Sequence, residues 1–250
     1  MLNTLKMAFE TLKMEGPNNE IIDVHSHTSK EQGLFLQEII DFVKPSQSLE
    51  IGLAYGISTL FILEKHHELN NAPKSHIVIE PFPWGGVAEH NIKKENLFDL
   101  VDIRYQKSHD VLPKLYYENN RIQFAYIDTT KLFDIVMQDC YFVDKILDIN
   151  GVIVLDDCGG GWPGIQRVAR FLNSLPHYQL LKGFNKNKKS SKRKIAESII
   201  RSAVKLVPFK DKVFLTQDFS TDTELNLDYS CLAFRKISDD TRNWDFDKKI

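Results

Sequence analysis

The sequence predicts an α/β protein built on a doubly wound, mostly parallel sheet of seven strands with helices on both faces. Three observations predict it. Short β-branched runs alternate with amphipathic segments from Ser48 onward, the pattern of repeated strand–helix–strand units. The run Val152-Ile153-Val154-Leu155 is continuously apolar, as a central parallel strand covered on both faces requires. Between the first strand, Ser48 to Ile51, and its helix lies a glycine-spaced turn, Gly52-Leu53-Ala54-Tyr55-Gly56.

Composition narrows the class further. A chain of 250 residues can bury one substantial core, and its apolar and charged fractions are those of a soluble globular protein. No apolar run approaches the roughly 20 residues that span a bilayer. Three scattered cysteines, Cys140, Cys158 and Cys231, have neither disulfide-framework nor metal-ligand spacing, so a reducing cytoplasm is expected. The net charge of -2 conceals an asymmetry: no acid occurs between Asp157 and Glu197, while Lys186, Lys188, Lys189, Lys192, Arg193 and Lys194 crowd that gap.

Met1 to Met14 reads as an amphipathic helix that could serve a homodimer, and Gly16-Pro17-Asn18-Asn19 as a linker, giving an N-terminal segment 1–28 before a domain over 29–250. His25-Ser26-His27-Thr28 is a polar approach to the ligand site. Ser29-Lys30-Glu31-Gln32 has the form of a capping box and opens a helix through Val43. The glycine turn then leads into a helix beginning at Ser58-Thr59, whose free N–H groups and positive dipole end face the turn. Gly52 and Gly56 permit close backbone approach and positive φ. The next strand, His76 to Ile79, ends in Glu80; a right-handed crossover places this acid beside the first strand's end, where a carboxylate can accept both hydrogens of a ribose diol.

Val101 to Gln106 is the third strand, and Ser108-His109-Asp110 caps the helix after it, with polar side chains in reach of an adenine edge. The fourth strand, Ile122 to Ile127, ends in Asp128; its helix is stopped by Asn150-Gly151, and the fifth strand ends in Asp156-Asp157. Acids at four successive strand ends, Glu50, Glu80, Asp128 and Asp156-Asp157, are expected to converge on one crevice at the carboxyl edge of the sheet. A glycine-rich loop with Trp162 follows, then Pro163 at a helix start. Tyr178 to Phe184 and Ser230 to Ile237 are the sixth and seventh strands. Between them, over 185–212, Ile195, Ile199, Ile200, Ala203, Val204 and Val207 form the apolar face of a basic helical insert. Such a helix suits a cap on its own domain or peripheral contact with an anionic inner-membrane face; no aromatic interleaving marks a nucleic-acid surface.

The acid followed by Gly52, Ala54 and Gly56 at two-residue steps resembles motif I of the class I S-adenosylmethionine-dependent methyltransferases, with Ala54 in place of the middle glycine. The dinucleotide fingerprint G-x-G-x-x-G fails at Ala54 and Ile57, which disfavours a nicotinamide-dependent oxidoreductase. Later motifs resemble bacterial O-methyltransferase-like families of the IDGxH and DD type: Ile127-Asp128-Thr129-Thr130-Lys131-Leu132-Phe133-Asp134, with Thr129 and Lys131 departing, and Leu155-Asp156-Asp157. Asp128 and Lys131 also reproduce the D-x-x-K of the more distant cation-dependent catechol-type enzymes.

The resemblance implies a Rossmann-like fold and S-adenosylmethionine as cofactor, held by Glu50, Gly52, Ala54, Gly56, Ser58, Thr59, Glu80, Ser108 and Asp128. It also implies a magnesium-like ion on Asp128, Asp156 and Asp157, which requires the strand to end between the last two, because adjacent strand residues face opposite ways. Lys131 is the expected base if its pKa falls well below the usual lysine range; otherwise Asp157 or His109 takes that role. The implied reaction is O-methylation of a small molecule or glycan, anionic if the basic insert binds it. A non-catalytic binding module that kept the fold is the alternative, suggested by Thr129 and the insert.

Overall fold

The computed structural model describes residues 1–25, 27–159, 161–185 and 221–246. The expected basic helical insert therefore lies, beyond Asn185, outside the described residues. The chain opens with α1 (Asn3–Thr11) and a small antiparallel pair, β1 (Lys13–Glu15) and β2 (Ile21–Asp23), and continues through α2 (Lys30–Val43), β3 (Ser48–Ile51), α3 (Ile57–Glu68) and β4 (His76–Ile79). Then come α4 (Val87–Lys94), β5 (Val101–Arg104), α5 (Ser108–Tyr117), β6 (Ile122–Ile127), α6 (Phe133–Ile146), β7 (Leu147–Leu155), α7 (Pro163–Ser174), β8 (Tyr178–Phe184) and β9 (Cys231–Lys236).

The main sheet has seven strands in the order β5-β4-β3-β6-β7-β9-β8. The first five are parallel, and β9 inserts antiparallel between β7 and β8. The order reverses at β3, so the crevice beyond the carboxyl ends of β3 and β6 is the topological switch point where ligands bind in such sheets.

Side-chain alternation along the central strands builds two cores. Leu49 and Ile51 of β3, with Ala125 and Ile127 of β6, pack against Leu112, Val136 and Val168 from α5, α6 and α7. Phe124 and Tyr126 face the opposite way, against Leu36 and Ile40 of α2. Glu50 and Ser48 share that second face, because a two-residue period sends alternate side chains to opposite sides.

The N-terminal segment differs from the expected helix and linker. The helix stops at Thr11, Leu12 takes left-handed φ, and Met14 belongs to a hairpin whose turn is Gly16–Asn19. Gly16 N–H donates to Glu20 O at 2.8 Å and Asn19 N–H to Gly16 O at 3.0 Å, so the stretch is a closed turn. Leu5, Ala8 and Met14 are buried with Leu60 and Phe61 of α3, which places the apolar face of α1 inside this chain's own core. The helix α6 also ends earlier than expected. Leu147 pairs with Ile122 and starts β7 directly, while Asn150 (φ 74) and Gly151 lie at an irregularity inside the strand. The third strand closes at Arg104, and Lys107, not Ser108, is the residue flanking the start of α5.

Candidate active site

The loop from Gly52 to Gly56 crosses from β3 to α3 at the switch point. Gly52 sits at φ +102, and a Cβ there would meet the Asp128 carbonyl oxygen at 1.9 Å. The glycine is thus dictated by the close approach of the neighbouring strand end as well as by space for a ligand. Ala54, where the motif prefers glycine, adopts φ 45, a conformation that an alanine bears at a cost.

Glu80, just beyond β4, fixes this loop. Its Oε2 accepts hydrogen bonds from Leu53 N at 3.0 Å and Ala54 N at 3.3 Å, and its Oε1 accepts one from Phe82 N at 3.0 Å. A carboxylate has about four acceptor positions, so three backbone donors orient it and leave capacity for a ligand hydroxyl. Glu80 lines a cavity of about 760 Å³ together with Gly52, Ala54 and Ser58, and with Ser108, His109, Asp128 and Thr129 across the crevice. This volume falls within the usual range for sites that enclose a small molecule. Tyr55 and Trp84 stand at its wall with ring centroids 5.8 Å apart, offering an aromatic face to a planar group.

Glu50 does not reach the cavity. It is fully buried on the α3 face, where Ser58 and Thr59 donate their hydroxyls to its two oxygens and His76 Nε2 lies 3.1 Å from Oε2. The chain of contacts runs on: His76 Nδ1 lies 2.7 Å from Ser48 Oγ, Ser48 Oγ 2.6 Å from His66 Nε2, and His66 Nδ1 2.7 Å from Asn71 Nδ2. Because the Asn71 amide donates to Nδ1, neutral His66 carries its proton on Nε2. Burial, and then the neighbouring His76, push the His66 pKa down to about 3, in keeping with that neutral form. Glu50 and Thr59 therefore hold the first turn of α3 under the glycine loop; of the three, only Ser58 also borders the cavity. The expected convergence of all strand-end acids is corrected accordingly: Glu80 and Asp128 line the cavity, while Glu50, Asp156 and Asp157 do not.

A second cluster lies at the ends of β6 and β7. The strand does end before Asp156, and Asp157 turns to φ 55, which brings one oxygen each of Asp128, Asp156 and Asp157 within 4.8 Å of one another. The convergence that the resemblance implied is present, but a cation already occupies it. Lys131 Nζ lies 2.9 Å from Asp128 Oδ1 and 2.7 Å from Asp157 Oδ2. Asp156 is spent on the protein: Oδ1 accepts from Asp157 N at 2.7 Å and from the Cys231 thiol, and Oδ2 from Gln32 Nε2 at 2.7 Å and Tyr126 OH at 3.1 Å. Four donors fill its acceptor positions. This arrangement does not fit a hard divalent ion, which needs open carboxylate oxygens: those of Asp156 are filled, and Lys131 sits between Asp128 and Asp157.

Electrostatics here also correct the expected base. Burial disfavours a charged Lys131, yet Asp128 and Asp157 together outweigh it and raise its pKa above the ordinary lysine value. Lys131 is held as an ammonium. Asp128 is pushed up to about 6, by burial first and by the charge of Asp156 next, against the pull of Lys131. His109 is exposed in the first turn of α5, where it lines the cavity.

Several participants were invisible in the sequence. Gln32 was read as half of a capping box; Ser29 Oγ does accept from Gln32 N at 3.2 Å, but the Gln32 side chain reaches Asp156 and Tyr126 instead of closing the box. Asp139 is fully buried in α6, with the Ser108 hydroxyl near its carboxylate but no hydrogen bond of good geometry to either oxygen among the described residues. Burial lifts its pKa to about 6, while the nearby Ser108 hydroxyl and His109 pull the other way. An acid inside an apolar helix face gave no sign of its neighbours. His25, His27 and Thr28 line the cavity, as their position before α2 suggested.

Residues 49–158 match a family model described as a methyltransferase domain. No curated protein matches the chain significantly. Among solved structures, an O-methyltransferase from Bacillus cereus in complex with SAH is 22% identical with a TM-score of 0.53, covering 62% of this chain and 74% of that one. The O-methyltransferase TomG from Streptomyces achromogenes, in complex with SAM, is 17% identical with a TM-score of 0.57, covering 72% and 82%. The SAH-bound methyltransferase PaMTH1 from Podospora anserina is likewise 17% identical with a TM-score of 0.57, covering 72% and 83%. The strand order and these structures show that the chain has the fold of class I methyltransferases, and residues 49–158, which carry the glycine loop at the switch point, match a methyltransferase domain.

Proposed function

We propose that the protein transfers a methyl group from S-adenosylmethionine to a hydroxyl oxygen of a small-molecule or glycan acceptor. The observation that carries this reading is Glu80, fixed by three backbone N–H groups beside the Gly52–Gly56 loop and facing a cavity of suitable volume. That cradle fits a ribose diol, with Tyr55 and Trp84 beside it for a flat base. The SAM and SAH named with the similar structures support the same cofactor.

S-adenosylmethionine supplies an electrophilic methyl group on a sulfonium. The chain's part is alignment, which can lower a barrier by roughly 7–11 kcal/mol when donor and acceptor are held in line. A lone pair on the acceptor oxygen forms the new O–CH3 bond, and the electron pair of the broken S–CH3 bond stays on sulfur, giving a neutral thioether. The hydroxyl proton passes to Asp128, the carboxylate of the Lys131 cluster that lines the cavity, because Lys131 itself is already protonated; Asp157, expected as a base, does not border the cavity. Asp128 lies at the junction of the two ends: its backbone meets Gly52 and its side chain meets Lys131.

The run of basic residues from Lys186 to Lys194 supports an anionic acceptor and peripheral contact with an anionic membrane surface, in a cytoplasmic setting. No helix among the described residues is long and apolar enough to cross a membrane. Incubation with methyl-labelled S-adenosylmethionine and a panel of hydroxylated sugars, sugar phosphates and phenols tests the reading. Label recovered as a methyl ether supports it. Cofactor binding with no transfer to any acceptor would favour the non-catalytic module, for which Thr129 in the cavity wall is the specific observation.

A further inference from the structure

We propose that Lys131 is the resident cation of the carboxylate cluster at the ends of β6 and β7: its ammonium takes the place between Asp128 and Asp157 that a divalent ion would take, so that the protein works without a metal there. This inference rests on the methyltransferase reading above and deepens it.

Three observations carry it. Lys131 Nζ is within 2.9 Å of Asp128 and 2.7 Å of Asp157, so it sits inside the convergence of carboxylates and not at its margin. Asp156, the third member, has both oxygens satisfied by Gln32, Tyr126, Cys231 and the Asp157 N–H, which removes the ligand that would draw a divalent ion deeper. The backbone also fixes where Lys131 can go. Gly164, in the first turn of α7, packs so closely on the Lys131–Phe133 segment that a Cβ there would lie 2.7 Å from Lys131 O and 3.1 Å from Phe133 N. The start of α7 at Gly164 thus packs directly on the backbone of the lysine loop.

An ammonium has three donors. Two are directed to Asp128 and Asp157. A divalent ion would have to displace this charge or sit against it, and like charges at such a distance repel.

The test is direct titration with Mn2+, followed by its electron paramagnetic resonance signal, on the wild-type protein and on Lys131→Ala and Lys131→Gln variants, all with S-adenosylhomocysteine present. Wild-type protein is expected to leave Mn2+ free at concentrations of about 1 mM, while the variants, with Asp128 and Asp157 released, bind it at least about tenfold more tightly. Methyl transfer by the wild type is expected to change less than about twofold with a chelator. Saturable Mn2+ binding to the wild-type protein at micromolar concentration, or loss of its transfer activity on chelation with recovery on Mn2+ or Mg2+, would overturn the inference. The wild-type result decides the matter even if neither variant folds. Thermal denaturation with and without S-adenosylhomocysteine separates the two levels: absent stabilisation by that ligand refutes the methyltransferase reading, whereas stabilisation together with wild-type metal binding refutes only the role of Lys131.

Discussion

The glycine loop and the cluster around Lys131 are built from the same part, an acid at the carboxyl end of a parallel strand, and use it in opposite ways. Around the glycine loop the acids are divided between support and contact. Glu50 is sealed beneath α3 by Ser58, Thr59 and His76, whereas Glu80 is held by backbone donors and still faces the cavity. At the ends of β6 and β7 the acids are gathered around a charge, with Asp128 and Asp157 on Lys131 and Asp156 buried. The difference teaches that position at a strand end does not assign a role. The direction of the carboxylate does: Glu50 and Glu80 each have three partners, but only Glu80 borders the cavity.

The largest effect expected from breaking this arrangement is at Gly52. Gly52→Ala places a Cβ against the Asp128 carbonyl at positive φ, where the two regions meet, and should cost about 3–5 kcal/mol of stability, measured by chemical denaturation. Glu50→Gln and Glu80→Gln then form a contrasting pair. Glu50→Gln should lower stability by roughly 2–3 kcal/mol, because it disturbs a buried network, yet leave cofactor affinity per folded molecule nearly intact. Glu80→Gln should do the reverse, weakening S-adenosylhomocysteine binding by about 10–100-fold with a smaller change in melting temperature. If both variants lose affinity equally, the division between support and contact is wrong.

Asp139 sharpens the comparison through pH. Its pKa is raised from 3.8 to about 6 in the folded protein, so the folded state binds the proton more tightly than the unfolded chain. Stability attributable to this group is full below the unfolded value and is lost as pH rises through about 6. Asp139→Asn should therefore stabilise the protein by roughly 1–3 kcal/mol at pH 8 and much less at pH 4, read from melting curves at the two pH values. The smallest expected effect concerns the acceptor alone: charge reversal across Lys186, Lys188 and Lys189 should raise the KM for an anionic acceptor by about tenfold and leave S-adenosylhomocysteine affinity unchanged. An unchanged KM would remove the case for an anionic substrate.

The frame of the molecule was legible because it is written in periodicity. Continuous apolar runs marked β3, β4 and β7, the glycine turn marked the switch point, and Pro163 marked the start of α7. Glu80 and Asp128 could be placed in the crevice because a strand's last residue must emerge at the sheet edge. Glu50 could not be read correctly from spacing alone, since its direction depends on the strand alternation and on which helix covers that face. Gln32, Tyr126 and Asp139 escaped for a related reason: their partners are distant in sequence, from Gln32 across to Asp156 and from Asp139 to the start of α5. The hairpin at Gly16–Asn19 looked like a linker because turn residues compose both. Lys131 was recognised as chemically active, but its charge state follows from two carboxylates that only folding brings together.

The most direct test of the central claim is calorimetric titration of the protein with S-adenosylhomocysteine, with NAD as the control ligand and Glu80→Gln as the control protein. The account predicts saturable binding of S-adenosylhomocysteine, none of NAD, and a marked loss of affinity in the variant. Binding of NAD alone, or of neither ligand, would contradict it.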